Sequence, residues 1–546
     1  MIQFCHIGRK PYINIIQGGI PMKKTLAILL AVFMLVSALP ALADTANLNL
    51  EGYPIVKEPI TVSLTGPRVA QSHGWDAENC AQTAYLTELT GINFEDRSLS
   101  SDAWDQTRNL LFTSDDMPEV VLGFQFSNEE LLDLGSQGIL IPLEDLIEEY
   151  MPNLQKIFEQ FPEAKGKITS ADGHIYTFPY INAVVRDVHN RYWINVKWLE
   201  KIGKEMPKTL DDLHEILKLF KSEDANDNGD PNDEIPMSAN SGDSSMEGLI
   251  LNAMGVNVRN ANFQFTATDD GTVYCANTSD AYKEYLKYMN MLWNEGLMDE
   301  EYFTQTGEQR VAKAKQGIIG VCKTAAMYID AGTEIGYNWE QFDALTSDIN
   351  DTPMVTNSSF VKTKGAITKA CKNPEAVARL IDYFFGPEGD SMGYVGVEGV
   401  SWAWTDKEAG LWDKIAPEGY ETPEVFRAVA TIMEAWPHYT SAAFNKGQGS
   451  FNALWLDDMS YNRSMPYFKL EFPTLAFDAD DSETIMNYKT DLSSYIANMR
   501  ATFITGTPEA IDAGWDAYVN QVNAMGVAEL LPIYQAAYDA YLESNE

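Results

Sequence analysis

Ile60-Thr61-Val62-Ser63-Leu64 begins the stretch that decides the fold of this chain, because its apolar residues alternate as they do in a β-strand. Helical spacing follows over 80–89, and a second strand pattern covers 91–95. A further helix over 103–112 leads to a short apolar strand over 117–123. Strands that alternate with helices are typical of a largely parallel sheet with helices on its faces. We therefore expect an α/β fold.

The pattern changes at Tyr192-Trp193-Ile194-Asn195-Val196, an apolar segment that leads into a short helix. Thr209 and Asp212 then have the spacing of an N-terminal capping box ahead of an apolar helical run. Another helix is predicted over 279–293, with tyrosine, leucine and methionine on one face. The C-terminal third is rich in helix formers and aromatic residues, so we expect it to be mostly helical.

A polar loop follows the capped helix: Asp224-Ala225-Asn226-Asp227-Asn228-Gly229-Asp230-Pro231-Asn232-Asp233-Glu234-Ile235-Pro236. Oxygen-bearing side chains at the first, third and fifth positions, followed by Gly, are how an EF-hand loop surrounds a hard cation. Position twelve departs from that pattern, because Ile235 stands where an EF-hand has a bidentate Glu. The loop is EF-hand-like, and two interpretations stay open: a structural calcium site or a solvated acidic turn.

The N-terminus has the features of a secretory signal peptide over residues 22–43. Lys23-Lys24 form its charged region, and the apolar run over 26–39 is shorter than the ~20 residues of a membrane helix. Ala41-Leu42-Ala43 is a small-x-small cleavage site. A signal peptide begins close to its charged region, so we expect residues 1–21 to be a mis-annotated upstream extension.

Export without a lipid anchor is the expected consequence. Cleavage after Ala43 leaves a chain that starts at Asp44, and no Cys lies at that position to carry a lipid. We therefore expect a secreted, extracellular or cell-wall-associated protein, or a periplasmic one in a Gram-negative cell.

The charge balance excludes some functions. The chain has 79 acidic and 39 basic residues, a formal net charge of −40, whereas nucleic-acid binding needs clustered positive charge. A polyanionic ligand is also disfavoured, unless a local basic patch outweighs the negative charge of the whole chain.

The mature region has four widely spaced cysteines without a C-x-x-C motif, so neither zinc nor a redox pair is indicated. Disulfides and isolated buried thiols both fit Cys80, Cys275, Cys322 and Cys371.

An ordered set of short motifs runs through almost the whole mature chain. The motifs are MPEVV at 117–121, GILIPL at 138–143, DLI at 145–147, DGHIYTFP at 172–179, WIN at 193–195, WL at 198–199, DEIP at 233–236, EGLMD at 295–299, GVEGV at 396–400 after Gly389, and WDAY at 515–518. Together they resemble the extracellular solute-binding proteins of carbohydrate-type ABC importers (family 1). The resemblance is to the large branch with a calcium loop, which includes the alginate-binding proteins.

The resemblance implies a two-lobe, periplasmic-binding-protein-like (type II) fold with a helix-rich C-terminal part. Each α/β lobe is discontinuous: 44–188 with 357–400 form the N-terminal lobe, and 189–356 with 401–546 form the C-terminal lobe. A ligand is expected in the cleft between the lobes, which close by a hinge motion. The family's role implies a monomer that delivers an oligosaccharide or similar polar solute to an ABC permease. Since the chain is acidic, neutral oligosaccharides are favoured.

The resemblance also implies structural calcium, held in the loop away from the cleft. Carried over by matching residues, the ligand set is Asp224, Asn226, Asn228, Asp230 through its backbone, Asp233 and Glu234. Because the Asp-Glu-Ile-Pro motif lies one residue later than in the related loops, Asn232 is an alternative to Asp233.

Candidate cleft residues are aromatic and amide side chains that follow predicted strands, because sugar sites combine aromatic plates with polar groups. They are Trp75, Gln125, Tyr180, Trp402 and Trp404. Ordinary core packing is the competing interpretation for each aromatic residue.

Two other functions remain open. An exported glycosidase or lyase needs only two suitably spaced carboxylates, which this acidic chain cannot lack. The G-x-S-x-G sequence at 389–393 follows a predicted helix over 374–385 rather than the strand of a nucleophile elbow, so we interpret it as coincidental. A sensory or adhesive glycan-binding protein on the same fold would be indistinguishable by sequence. We expect a binding protein that does not catalyse a reaction.

Overall fold

The computed structural model describes residues 45–69, 71–240, 245–420 and 422–544. The predicted signal peptide over 22–43 and the predicted extension over 1–21 lie outside the described residues. The chain divides into a short unit that ends at Leu48 and a second unit that starts at Asn49. All the strands and α-helices below belong to the second unit.

The N-terminal lobe is built on a four-stranded sheet in the order Ala366–Ile367, Val120–Val121, Ile60–Thr65 and Ile92–Asp96. Ile60–Thr65 is parallel to both of its neighbours, and the edge strand Ala366–Ile367 is antiparallel to Val120–Val121. The predicted parallel arrangement is therefore confirmed for this lobe. Its helices are Ala81–Thr90, Ser101–Thr113, Asn128–Ser136, Glu144–Tyr150, Pro152–Gln160, Pro162–Ile168, Pro374–Tyr383 and Gly389–Tyr394.

The C-terminal lobe has its own four-stranded sheet in the order Trp339–Gln341, Tyr192–Asn195, Ile319–Lys323 and Ile235–Met237. Tyr192–Asn195 runs antiparallel to both neighbours, so this sheet is mixed rather than largely parallel. Helices around it include Val196–Ile202, Leu210–Ser222, Glu247–Ala253, Asp280–Asn294, Gly307–Lys315, Met327–Asp330, Thr333–Gly336 and Phe451–Met459. Smaller strand pairs are Phe265–Ala267 with Val273–Cys275, and Val355–Asn357 with Phe468–Leu470.

Three long helices end the chain and pack on the C-terminal lobe: Ala479–Thr505, Pro508–Val522 and Ala528–Ser544. The amide of buried Asn290 donates to the carbonyl oxygens of Phe503, Ile504 and Gly506 at 2.9, 3.0 and 2.9 Å. These carbonyls lie at the C-terminal end of helix Ala479–Thr505, where helical partners are missing. Asn290 therefore joins this helix end to the lobe. The predicted helical C-terminal third is confirmed.

A small sheet joins the lobes, with Pro179–Asn182 between Val361–Thr363 and Tyr439–Thr440. The stretch around Ala435 and Trp436 contacts residues of the N-terminal lobe. The Gly123 amide donates to Ala435 at 2.9 Å, and Trp436 stacks on Phe384 with ring centroids 4.9 Å apart. The stretch around these residues therefore packs on the N-terminal lobe, because its apolar side chains complete that lobe's core.

The predicted capping box is confirmed at the start of helix Leu210–Ser222. The Asp212 amide donates to Thr209 Oγ1 at 3.0 Å, and the Thr209 amide donates to Asp212 Oδ2 at 3.1 Å.

We expect Thr209→Ala to lower the free energy of unfolding by about 1 kcal/mol, because a helix N–H loses its acceptor. Urea unfolding would measure the change. Thr209→Ser keeps the hydroxyl and should match the wild type; equal losses in both variants would contradict the capping role.

Candidate functional site

A cleft of about 390 Å³ lies where the joining strands meet both lobes. Gln125 lines it from the N-terminal lobe, Tyr180 and Lys362 from the joining strands, and Tyr328 and Leu456 from the C-terminal lobe. Its size is at the lower end of the range for small-molecule sites. A ligand here would contact both lobes at once.

A buried hydrogen-bond network forms the floor of the cleft. The Tyr180 hydroxyl donates to Glu434 Oε2 at 3.0 Å and accepts from the Asn182 amide at 2.8 Å. Arg427 Nη1 donates to Glu434 Oε1 at 3.0 Å. Burial on its own raises the pKa of Glu434, but the positive charges of Arg427, Lys364 and His438 outweigh it and lower the pKa to about 2. Glu434 is therefore a carboxylate at neutral pH.

The backbone around Glu434 is strained. Met433 and Glu434 have φ angles of 47° and 59°, in the left-handed region that residues other than glycine rarely adopt. The Met433 amide donates to Thr431 Oγ1 at 3.0 Å, which helps to hold this turn. Strained non-glycine residues of this kind occur preferentially at ligand-binding and catalytic sites. Glu434, one of the two strained residues, lines the cleft with its carboxylate.

Arg186 connects the joining segment to the C-terminal lobe beside the cleft. Its Nη1 donates to Asp457 at 2.8 Å, and its Nη2 donates to Gln448 at 3.0 Å and to the Tyr394 hydroxyl at 3.2 Å. Only 4 % of the arginine side chain is exposed. These partners fix the guanidinium, so Arg186 supplies a positioned positive charge to the cleft wall.

Four aromatic rings line the cleft: Tyr180, Tyr328, Phe360 and Tyr394. Aromatic faces and positioned polar groups are the two components that a sugar site requires. Sequence reasoning identified Tyr180 but missed the other three, because the candidates were sought after predicted strands, whereas Tyr328 and Tyr394 lie in short helices.

The structure separates the five predicted cleft residues. Gln125 and Tyr180 line the cleft, whereas Trp75, Trp402 and Trp404 do not. Trp75 is only 1 % exposed and packs against Gly66, where an added Cβ would lie 2.9 Å from the indole ring. The Trp75 side chain therefore belongs to the core in this structure.

Trp402 and Trp404 lie in a hairpin formed by Trp402–Asp406 and Leu411–Lys414. Trp402 is 3 % exposed, and its Nε1 donates to the Gly396 carbonyl at 3.0 Å. Both rings pack in an aromatic cluster with Trp412 and Phe444. Core packing therefore explains these two tryptophans, because their rings contact each other and the neighbouring rings of the cluster.

The acidic loop between helix Leu210–Ser222 and strand Ile235–Met237 folds around its own side chains. The Asn228 and Gly229 amides donate to the two Asp224 carboxylate oxygens, each at 3.0 Å. The Asn226 and Asn228 side-chain amides donate to Asp233 at 2.9 and 2.7 Å. Gly229 has a φ of 91°, as the sharp bend requires. The oxygen-bearing side chains of this loop therefore lie close to one another.

Glu234 is the unusual member of this loop. It is 8 % exposed, and its Oε2 is buried without a hydrogen-bond partner. Burial raises the pKa of this carboxyl, with a smaller contribution from the charge of Asp233. The described ranges contain no group of three or more His, Cys, Asp or Glu residues that could hold a metal ion. Any cation in this loop would therefore need the asparagine oxygens or backbone carbonyls.

The G-x-S-x-G segment and the cysteines do not line the cleft. Ser391 lies in helix Gly389–Tyr394 and donates its hydroxyl to the Glu388 carbonyl at 3.2 Å; the preceding element is helix Pro374–Tyr383. The arrangement of a nucleophile elbow is therefore absent from this segment.

The four cysteines of the described region are free thiols. Of the two possibilities that their spacing left open, disulfides and isolated thiols, the structure has the second.

Comparison with known proteins gives consistent matches. The sequence model of the family described as bacterial extracellular solute-binding protein matches residues 77–391. The fructooligosaccharide ABC transporter substrate-binding protein FusA of Streptococcus pneumoniae is 30 % identical over 472 residues, which cover 84 % of this chain and 86 % of FusA.

Within the described residues, no helix has the length and apolar character needed to cross a membrane.

Solved structures match over nearly the same extent. FusA of S. pneumoniae in complex with kestose superposes with a TM-score of 0.78 and 28 % sequence identity, covering 89 % of this chain and 100 % of that one. A FusA EF-hand mutant in complex with fructo-nystose gives a TM-score of 0.77 at 27 % identity, again covering 89 % and 100 %. The similarity therefore includes both lobes and the helical C-terminal part.

Proposed function

This chain belongs to the bacterial extracellular solute-binding proteins, and from that premise we propose that it captures an oligosaccharide and delivers it to the permease of an ABC importer. The observation that carries the proposal is the cleft itself. Aromatic rings, amides and charged groups from both lobes and from the joining strands line it together. Closure of the lobes around a sugar would bury its apolar faces and satisfy its hydroxyl groups.

The proposed role is binding without chemical change. In support, the polar groups of the cleft are engaged mainly with one another, as in the contacts of Glu434 with Tyr180 and Arg427. We propose that the loaded form acts as a monomer and docks on the transmembrane subunits. We further propose that the sequence over 22–43 directs export and that the mature protein is released without a lipid anchor.

Isothermal titration calorimetry against a panel of neutral and acidic oligosaccharides tests this function. We expect heat of binding with at least one glycan and recovery of that glycan unchanged by chromatography. Tyr180→Ala removes a ring and a hydroxyl from the cleft and should weaken binding, whereas Trp404→Phe lies outside the cleft and should leave the affinity unchanged. Cleaved glycan in the recovered sample would favour the enzyme alternative, and no binding across the panel would contradict capture.

We also propose that the loop over 224–234 holds a structural Ca²⁺. The donor set fits, because calcium takes carboxylate, amide and carbonyl oxygens in a flexible geometry. The partnerless buried oxygen of Glu234 supports an ion here, since a cation would supply the missing interaction. Asp224, Asn226, Asn228, Asp233 and Glu234 would hold the ion through their side chains, together with the backbone of Asp230. The ion would fix the loop between helix and strand and take no part in ligand capture.

A further inference from the structure

The cleft has the opposite charge to the rest of the molecule. Its lining residues include six basic and three acidic side chains, an excess of three positive charges in a chain whose net charge is −40. The basic residues are Arg186, Arg191, Lys362, Lys364, Lys414 and Arg427, and the acidic ones are Asp187, Glu424 and Glu434. A concave site with an excess of one sign of charge attracts ligands of the other sign.

Four of the six basic groups already have carboxylate partners within 4 Å. The pairs are Arg186 with Asp457 at 2.8 Å, Arg191 with Asp187 at 3.9 Å, Lys414 with Glu424 at 3.7 Å, and Arg427 with Glu434 at 3.0 Å. The side chains of Lys362 and Lys364 form no ion pair or hydrogen bond with any residue in the described part of the chain. The positive excess is thus concentrated on these two lysines.

The two lysines lie next to each other on the cleft wall. Lys362 lies within the strand Val361–Thr363, and Lys364 directly follows it. One residue separates them, the spacing that puts side chains on the same face of an extended segment. Lys364 is 9 % exposed, and its Nζ lies 4.0 Å from the centroid of the Tyr180 ring. Burial lowers the pKa of both lysines, that of Lys364 to about 8, so Lys364 is mainly protonated at pH 7.

Placing two cations side by side with little solvent is unfavourable unless something compensates them. Glu434 offsets part of the charge of Lys364, and Glu471 offsets part of that of Lys362, but neither carboxylate forms an ion pair with these lysines. The Glu434 oxygens are engaged with Arg427 and the Tyr180 hydroxyl. We propose that Lys362 and Lys364 form a subsite for an anionic group of the ligand, either the carboxylate of a uronic acid or a sulfate ester. The captured solute is then an acidic oligosaccharide rather than the neutral one expected from the overall charge; this inference rests on the proposed function.

A glycan array with uronate-containing, sulfated and neutral oligosaccharides, followed by calorimetry, tests the subsite and distinguishes the two anion chemistries. We expect the tightest ligand to be acidic and its affinity to fall as sodium chloride is raised. The Lys362→Gln/Lys364→Gln variant should bind that ligand at least tenfold more weakly, because charge-assisted hydrogen bonds are lost. Lys362→Gln alone, at a less buried position, repeats the test if the double variant does not fold.

The matched control is Lys369→Gln/Lys372→Gln, which makes the same change in net charge at two exposed lysines outside the cleft. Its affinity should stay within about twofold of the wild type. Exclusive binding of neutral glycans, or equal affinities in wild type and Lys362→Gln/Lys364→Gln, would overturn the subsite and leave the proposed function intact. Absence of any glycan binding would instead count against the proposed function itself.

Discussion

Calcium at a free concentration one hundred times its dissociation constant should raise the free energy of unfolding by about 2.7 kcal/mol. The gain arises because the folded loop offers the ion a converged set of oxygens, whereas the unfolded chain does not. Glu234 would contribute to the affinity for the ion, since its buried carboxylate oxygen has no hydrogen-bond partner among the described residues. Thermal melts in calcium and in chelator, read by circular dichroism, would measure the shift, and elemental analysis would identify the metal.

The variant that tests the site is Asp224→Asn/Asp233→Asn, which removes two negative charges from the proposed ligand set while preserving the shape of the side chains. We expect its melting temperature to become independent of calcium. Asp115→Asn/Asp348→Asn makes the same charge change at exposed positions away from the loop and should keep the full calcium response. A wild-type melting temperature that ignores chelator, with no calcium found by elemental analysis, would remove the ion from this loop.

Glu434→Gln is expected to lower the free energy of unfolding at pH 7 by about 2 kcal/mol, because Arg427 loses its carboxylate partner and Lys364 loses a nearby negative charge that offsets part of its own. The loss is smaller than for a completely enclosed ion pair, since 25 % of the Glu434 side chain is exposed. The glutamine cannot relieve the strained backbone, so the cost of the left-handed turn stays. Urea unfolding of both proteins would measure the difference.

The difference should also depend on pH in a defined direction. The pKa of Glu434 is about 2 in the folded protein and about 4.3 in an unfolded chain, so folding favours the ionised form. The stabilisation is therefore complete above about pH 5 and declines as pH falls towards 2. Glu418→Gln, at an exposed position, should show little effect at any pH. A Glu434→Gln deficit that is equal at pH 7 and pH 3 would contradict the charge-based explanation.

Local patterns in the sequence were sufficient for most of the elements. The alternation at 60–64 became strand Ile60–Thr65, and the Thr209 capping box and the helix near 279–293 were confirmed. Each of these depends on residues a few positions apart, whose spacing fixes which side chains share a face. The antiparallel pairing in the second sheet was not predicted, because strand direction depends on where the chain crosses between lobes.

The cleft could be predicted only in part. Gln125 and Tyr180 were identified because they follow predicted strands, but the same reasoning chose Trp75, Trp402 and Trp404, which pack elsewhere. A strand-end position indicates that a side chain is near an edge, whereas its burial is set by the elements that pack against it. For Trp402 that element is the strand Leu411–Lys414, which covers the ring.

By itself, the sequence determined the α/β class, the family and the oxygen-rich character of the loop at 224–234, because these depend on residue type and short-range spacing. Only the tertiary structure decided the charge of the cleft, since that depends on which lysines find a carboxylate across the fold. Lys362 and Lys364 do not, although acidic residues are twice as frequent as basic ones in the chain. Net charge is a sum over all residues, whereas a bound ligand meets only the few that surround it.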